Sequence, residues 1–127
     1  MSKKTILIMD DSPIVLDVVK ATLEDAGFEV WTAENLEQLE AERLAHPPDL
    51  VLLDVQMPEM FGDDVGEVLK NVKRVDVPIL LFSSLDEELL AARVAAAQLD
   101  GYVPKRAGVQ ALCERIVAVL GPKGGSA

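Results

Sequence analysis

Apolar runs of strand length alternate with amphipathic stretches of helix length, and this alternation repeats five times along the chain. A short apolar run between turn signals predicts a buried strand, whereas apolar residues spaced three or four apart predict a helix. The predicted strands cover residues 5–9, 28–33, 49–54, 77–82 and 101–103, and the helices that follow them cover 13–26, 34–45, 62–72, 86–98 and 108–120. This rhythm is typical of a parallel sheet with helices on both faces.

Local signals support several of these boundaries. Ser12 can cap a helix, and Pro13 fits its first turn because the missing N–H would have no partner there. Gly27 suits the end of the same helix, and the two prolines after His46 stop the second helix. The run 50–53 is apolar throughout, as expected of a central strand that is covered on both faces.

The helical spacing also predicts which residues face the core. These are aliphatic positions in three helices: Val15, Val18, Val19 and Leu23 in the first, Leu36, Leu39 and Leu44 in the second, and Val109, Leu112, Ile116 and Leu120 in the last. With right-handed crossovers between strands, the elements form a doubly wound, three-layer α/β fold of five strands and five helices.

Polar residues stand at the carboxyl ends of three predicted strands. Asp10 and Asp11 follow the first strand, Asp54 ends the third, and Ser83 and Ser84 follow the fourth. Ligands of doubly wound sheets bind at this edge, so these five residues form the candidate site. Asp10 and Asp11 alone would be a weak signal, because Asp-Asp-Ser-Pro is also a good beginning for a helix.

Three carboxylates at one sheet edge need a positive partner, since two of them about 5 Å apart repel by roughly 3 kcal/mol at an effective dielectric constant near 20. Oxygen ligands without cysteine or histidine suit a hard cation, and Mg²⁺ accepts a few carboxylates, a carbonyl and retained waters.

Lys105 follows the fifth strand and can bring its ammonium group to Asp54, while Ser83 offers a hydroxyl donor. Their joint order indicates a carboxylate nucleophile with charge stabilisation, although each alone has an ordinary structural role.

Composition narrows the class of protein. The chain has 127 residues, half of them hydrophobic, which suits one domain over 1–120 and a flexible tail over 121–127. The net charge of -10 disfavours direct nucleic-acid binding and favours a cation or a basic protein partner. A single cysteine, Cys113, no signal peptide and no apolar run of about 20 residues predict a cytoplasmic protein without membrane contact.

The order of these residues resembles the receiver domain of two-component response regulators over nearly the whole chain. The resemblance is carried by Asp10-Asp11-Ser12, by Asp54-Val55-Gln56-Met57-Pro58 followed by Gly62, by Ser83 and by Lys105. It implies a flavodoxin-like sheet with strand order 2-1-3-4-5. It also implies that Asp54 accepts a phosphoryl group from a phosphohistidine on a sensor histidine kinase or a histidine phosphotransfer protein.

The resemblance further implies how the metal and the phosphoryl lifetime are controlled. Mg²⁺ would be held by Asp11, Asp54 and the carbonyl group of Gln56, and Asp10 would act on the metal mainly through water. Gln56 and Ser84 would border the path of the water that hydrolyses the acyl phosphate. These two polar residues would then set an intermediate lifetime.

The resemblance also implies a switch. Ser83 would move to the phosphoryl group and Tyr102 would turn inward, although Tyr102 is otherwise an ordinary half-buried strand residue. The readout face would comprise the fourth helix, fifth strand and fifth helix, with Arg93, Tyr102 and Arg106 as contacts for a downstream protein target. We expect a stand-alone receiver, monomeric or dimeric on phosphorylation, whose only chemistry is its own phosphorylation and dephosphorylation or a phosphoryl relay.

Alternatives remain open at this stage. Many receivers have lysine followed by proline, whereas this chain reads Pro104-Lys105-Arg106, so the loop can be set differently. A metal-dependent phosphatase would usually have a second aspartate where Gln56 stands, together with a cap domain. A receiver-like module that binds partners without phosphorylation is a third possibility. Flavin binding is disfavoured, because the acidic pair would repel its phosphate.

Two aromatic residues receive no catalytic role. Trp31 is interpreted as an exposed or half-buried strand residue rather than an interaction anchor. His46 is interpreted as a loop residue far from the carboxyl edge of the sheet.

Overall fold

The computed structural model describes residues 3–56 and 61–121. Its elements, in chain order, are β1 Thr5–Met9, α1 Pro13–Asp25, β2 Glu29–Ala33, α2 Leu36–Ala45, β3 Leu50–Leu53, α3 Gly62–Asn71, β4 Ile79–Ser83, α4 Glu87–Ala97, β5 Gly101–Pro104, a 3₁₀ turn Lys105–Ala107, and α5 Val109–Leu120. All five strands are parallel and lie in the order β2-β1-β3-β4-β5. The predicted fold class and strand order are confirmed, while the predicted tail falls almost entirely outside the described residues.

Both faces of the sheet are covered, and β1 shows how. Ile6 and Ile8 pack in a core cluster with α1 and α5, whereas Leu7 and Met9 pack in a second cluster with α2, α3 and α4. Successive side chains of a strand point to opposite faces, so a strand between two helical layers needs an apolar residue at every position. This explains the unbroken apolar run 50–53, all of which is buried.

The predicted capping residues of α1 agree with the structure, whereas α2 begins at Leu36, two residues later than predicted. The Ser12 hydroxyl accepts a hydrogen bond from the Val15 N–H at 3.3 Å, and Pro13 is the first residue of α1. Gly27 follows α1 with a φ of 101°, a conformation that glycine adopts without a steric penalty. The capping residues thus fix where α1 begins and ends.

Three of the predicted inner positions are wrong, because Val18, Leu36 and Leu44 are exposed. In α1 Val19 and Leu23 are buried as predicted, but Leu16 takes the place of Val18, while in α2 only Leu39 is buried. Spacing fixes the width of an apolar stripe but not its centre, since the centre depends on how the helix docks on the sheet. Within the described residues, no helix is long and apolar enough to span a bilayer.

Candidate functional site

Asp10 and Asp54 lie side by side because β1 and β3 are paired in parallel. Met9 pairs with Leu53, so the next residue of each strand reaches the same sheet edge. The Asp54 N–H donates to the Met9 carbonyl at 3.0 Å and thereby extends the backbone pairing to the carboxylate. The two residues are only 1% and 5% exposed. The fold therefore fixes two acidic side chains in a poorly hydrated position.

Asp11 completes the acidic cluster from the solvent side. It is exposed, and one carboxylate oxygen from each of Asp10, Asp11 and Asp54 lies within 4.8 Å of the others. Asp10 is oriented by a hydrogen bond of 2.9 Å from the Ser12 N–H to its Oδ1 atom. The structure thus brings together the three aspartates selected from the sequence.

Lys105 supplies the positive charge, but it lies closer to Asp10 than the sequence suggested. Its Nζ atom is 2.7 Å from Asp10 Oδ2 and 3.6 Å from Asp54 Oδ2. The shorter contact is an ion pair, and Asp10 Oδ2 has no hydrogen bond to a described residue. The 3₁₀ turn after Pro104 directs the lysine into the site, so the Pro-Lys-Arg order is compatible with this position.

The environment of Asp54 disfavours its charge. Burial raises the pKa of the Asp54 carboxyl group to about 6, and the negative charges of Asp10 and Asp11 act in the same direction. Lys105 and the backbone N–H of Gln56, which donates to this carboxylate, lower the pKa but only in part. A carboxylate in this position gains from any further positive charge placed beside it.

The remaining predicted site residues lie on β4, on β5 and on the loops that follow β3 and β4. Ser83 is the last residue of β4 and fully buried, and its hydroxyl accepts a hydrogen bond from the Leu85 N–H at 3.3 Å. The Ser84 hydroxyl donates to Gln56 Oε1 at 3.4 Å on the exposed rim. Tyr102 is half-buried on β5 against the cluster that includes α4. Among the described residues, neither Ser83 nor Tyr102 forms a hydrogen bond with the carboxylates, so their switch roles stay predictions.

The residues present fit a hard divalent cation. All three side chains that converge here offer carboxylate oxygens, and the exposed side of Asp11 leaves room for water and for a further oxygen ligand. Burial and then the charges of Asp10 and Asp11 raise the pKa of Asp54, and such a cation would favour its ionised form. The contact shown for Gln56 is its N–H on Asp54, so a role for its carbonyl group remains a prediction.

One connection near the site was missed from the sequence. Arg93, on α4, donates through Nη1 to both carboxylate oxygens of Asp63 at 3.1 Å, and its guanidinium group lies 5.1 Å from the centre of the Phe61 ring. Phe61 in turn forms a backbone bridge with Gln56. Because 30 residues separate Arg93 from Asp63, no local pattern in the sequence could have paired them.

The amino-acid sequence is similar to those of two kinds of known protein, one longer than this chain and one of similar length. The chain is 35% identical over 121 residues to the phosphate regulon transcriptional regulatory protein PhoB of Pseudomonas aeruginosa, covering 94% of this chain and 53% of that protein. It is 28% identical to the polar-differentiation response regulator DivK of Brucella ovis, covering 93% of this chain and 97% of that protein. The chain thus spans about half the length of PhoB but nearly all of DivK.

Solved structures and a family model lead to the same result. The structure of the Vibrio cholerae chemotaxis protein CheY4 matches with a TM-score of 0.85 and 26% identity, covering 94% of this chain and all of that one. The model of the response regulator receiver domain matches residues 6–117. The chain therefore belongs to the receiver-domain family of two-component response regulators.

Proposed function

We propose that Asp54 is the phosphoacceptor of this domain and that it takes its phosphoryl group from a phosphohistidine. A carboxylate oxygen of Asp54 attacks phosphorus, the bond between phosphorus and the imidazole nitrogen breaks, and the imidazole leaves with that electron pair. The single observation that carries the proposal is the position of Asp54, buried at the sheet edge between a second carboxylate and a lysine.

Burial and ionisation of Asp54 support a nucleophilic role. With a pKa of about 6 the group is still mostly ionised near neutral pH, so it can attack without a separate base. Its weak hydration means that little water must be displaced before attack. Asp10 is as deeply buried, but its ion pair with Lys105 leaves it less available as a nucleophile.

Charge stabilisation is proposed to come from the cation and from residues of the chain. Mg²⁺, held by Asp11, Asp54 and the carbonyl group of Gln56, with Asp10 acting mainly through water, would neutralise charge on the transferring group. Lys105 lies 3.6 Å from Asp54 and can follow the phosphoryl oxygens as charge develops there. The Ser83 hydroxyl, which now accepts from Leu85, would rotate to donate to a phosphoryl oxygen.

The proposed readout lies on the face made by α4, β5 and α5. Tyr102 is half-buried there and would turn inward when Ser83 moves to the phosphoryl group. Arg106 is exposed, with its Nη2 atom 3.7 Å from Glu87 Oε1. The donor would be a sensor histidine kinase or a histidine phosphotransfer protein, and the recipient a downstream protein target. We propose no direct contact with nucleic acid, because the net charge is -10.

The remaining parts of the proposal concern lifetime and setting. The exposed pair of Gln56 and Ser84 would set how readily water reaches the acyl phosphate, and hence its lifetime. Hydrolysis of this acyl phosphate by the domain itself would be the only hydrolytic reaction that the domain carries out. The domain would act in the cytoplasm, as the single cysteine suggests, either as a monomer or as a dimer that forms on phosphorylation.

Phosphorylation by a small donor tests this function directly. The protein is incubated with acetyl phosphate and Mg²⁺, and intact-mass spectrometry should show the addition of one phosphoryl group. Asp54→Asn should abolish the adduct, whereas Asp17→Asn, which changes an exposed aspartate of α1, should leave it unchanged.

Two results would reject the proposal. One is an unmodified wild-type protein under conditions that label a known receiver. The other is a wild-type adduct that persists in Asp54→Asn. Repeated turnover on a phosphomonoester, lost in Asp54→Asn, would instead identify a phosphatase.

A further inference from the structure

We propose that Arg93 is a positioning residue for the phosphorylation site, which it influences by fastening the first turn of α3 to α4. This inference rests on the proposed function of Asp54. It concerns a connection between two helices that includes none of the predicted acceptor, metal or switch residues, although Arg93 was expected as a readout contact. Three described residues form it, Phe61, Asp63 and Arg93, and we call them the Arg93 clamp.

The geometry of the clamp is specific. Arg93 Nη1 lies 3.1 Å from both Oδ1 and Oδ2 of Asp63, and its guanidinium group lies over the Phe61 ring at 5.1 Å. The Asp63 side chain is mostly shielded from water, and that of Arg93 is partly shielded. One guanidinium group thus binds the carboxylate of one residue and the ring of another, both at the beginning of α3.

The clamp is connected to the acceptor through the backbone. Phe61 forms an isolated antiparallel bridge with Gln56, and the N–H of Gln56 donates to the Asp54 carboxylate. The Phe61 carbonyl accepts from the N–H groups of Asp64 and Val65, which begins α3. A contact that holds Phe61 therefore limits the positions open to Gln56. Because the N–H of Gln56 faces the carboxylate of Asp54, such a contact also limits the surroundings of the acceptor.

The other contacts of this region do not replace the clamp. Phe61 is the N-terminal cap residue of α3, but its side chain makes no capping hydrogen bond. The link of Gln56 to Ser84 is long, at 3.4 Å, and exposed. Ordering a loop at the moment of binding costs conformational entropy, so a region held in advance binds its ligand more tightly. We therefore expect the clamp to raise the Mg²⁺ affinity of the site.

The test is a double-mutant cycle on Mg²⁺ binding. Calorimetric titration of Mg²⁺ into Arg93→Ala should show a dissociation constant about fivefold to tenfold higher than that of the wild type, at the low end of the range typical of a coupling between sites. Asp63→Ala should show a similar loss, and the double variant should be no weaker than either single one, because both changes remove the same link. Arg93→Gln, which keeps the aliphatic stem, serves if Arg93→Ala does not fold.

A second measurement needs no metal. Amide hydrogen exchange at Asp64 and Val65, whose N–H groups bond the Phe61 carbonyl, should be about threefold to tenfold faster in Arg93→Ala if the first turn of α3 opens locally. The matched control is Lys20→Ala, because Lys20 also combines an ion pair, with Glu24, and a ring contact, with Trp31, but lies on α1, which packs on the opposite face of the sheet from α3. This control should alter neither the exchange at α3 nor the binding of Mg²⁺.

The outcomes separate this inference from the proposed function. Wild-type protein that binds no Mg²⁺ and gains no phosphoryl group would reject the function itself. Wild-type binding and labelling, with unchanged Mg²⁺ affinity and unchanged exchange in Arg93→Ala, would overturn the role of Arg93 alone. Additive losses in the double variant would also overturn it, since Arg93 would then not act through Asp63.

Discussion

The ammonium group of Lys105 lies 0.9 Å closer to Asp10 than to Asp54, since the two distances are 2.7 Å and 3.6 Å. The buried Asp10 carboxylate is thus the main counter-ion of the lysine in this structure. A cation bound by the three aspartates would compete with Lys105 for Asp10. The lysine would then be released toward the oxygens of a phosphoryl group on Asp54.

The pairing of Lys105 with Asp10 predicts a large loss of stability when only the lysine is removed. Lys105→Met should lower the free energy of unfolding by about 2–4 kcal/mol in the absence of Mg²⁺, because it leaves a buried carboxylate without its partner. Adding Asp10→Asn should restore most of that loss. Urea denaturation near neutral pH measures both changes.

The control is Arg106→Ala, which removes an exposed pair with Glu87 and should have little effect on the free energy of unfolding. A loss of stability in Arg106→Ala equal to that in Lys105→Met would contradict the prediction.

The raised pKa of Asp54 predicts that Asp54→Asn stabilises the metal-free protein. A carboxyl group whose pKa is about 6 when folded and near 4 when unfolded destabilises the fold while it is ionised. The advantage of Asp54→Asn should therefore be greatest above pH 6, at about 1–3 kcal/mol. It should shrink as the pH falls through 6 and vanish below about 4, because only there is the wild-type carboxyl group protonated in both states.

Urea denaturation across this pH range, in the presence of a chelator, measures the difference. Asp17→Asn serves as the control, since Asp17 is an exposed residue on the outer side of α1. A variant Asp54→Asn that is less stable than the wild type above pH 6 would contradict the stated cause.

The exposed position of Asp11 predicts that it serves the metal rather than the fold. Asp11→Asn should leave the stability of the metal-free protein nearly unchanged, because the side chain already faces water. Saturating Mg²⁺ should raise the wild-type free energy of unfolding by about 2.7 kcal/mol at one hundred times the dissociation constant. The variant should lose most of this increase. Thermal denaturation with and without Mg²⁺ tests it, and an unchanged response in Asp11→Asn would exclude Asp11 as a ligand.

A stacked pair at the edge of the sheet predicts an effect of His46 on Trp31. The two rings lie 3.5 Å apart and within 7° of parallel, and the Trp31 Nε1–H donates to Glu29 Oε2 at 2.7 Å. His46→Ala should cost about 0.5–1.5 kcal/mol of stability and expose the indole. Acrylamide quenching of the single tryptophan should increase, whereas Arg43→Ala on the adjacent helix should leave it unchanged. No change in quenching in His46→Ala would contradict the stacking.

Trp31 and His46 also illustrate the limits of the sequence. The interpretations of a half-buried strand residue and of a loop residue outside the catalytic site both agree with the structure. Their contact could not be predicted, because 15 residues and a helix separate them in the chain. The exposure of a strand or loop residue can be predicted from the residue and its neighbours in the chain. A contact between two rings depends on how β2 and the end of α2 pack together.

The fold class and the sheet edge at which the aspartates meet follow from the residues alone. Alternating apolar runs define the elements, and parallel strands bring their carboxyl ends to one edge, so Asp10, Asp11 and Asp54 had to reach that edge. The resemblance to receiver domains added the strand order, which places Asp10 beside Asp54. Only the tertiary structure decided that Lys105 pairs first with Asp10, that Leu36 and Leu44 stay exposed, and that Arg93 joins α4 to α3. These features depend on how helices and turns dock on the sheet, and docking is set by packing between residues far apart in the chain.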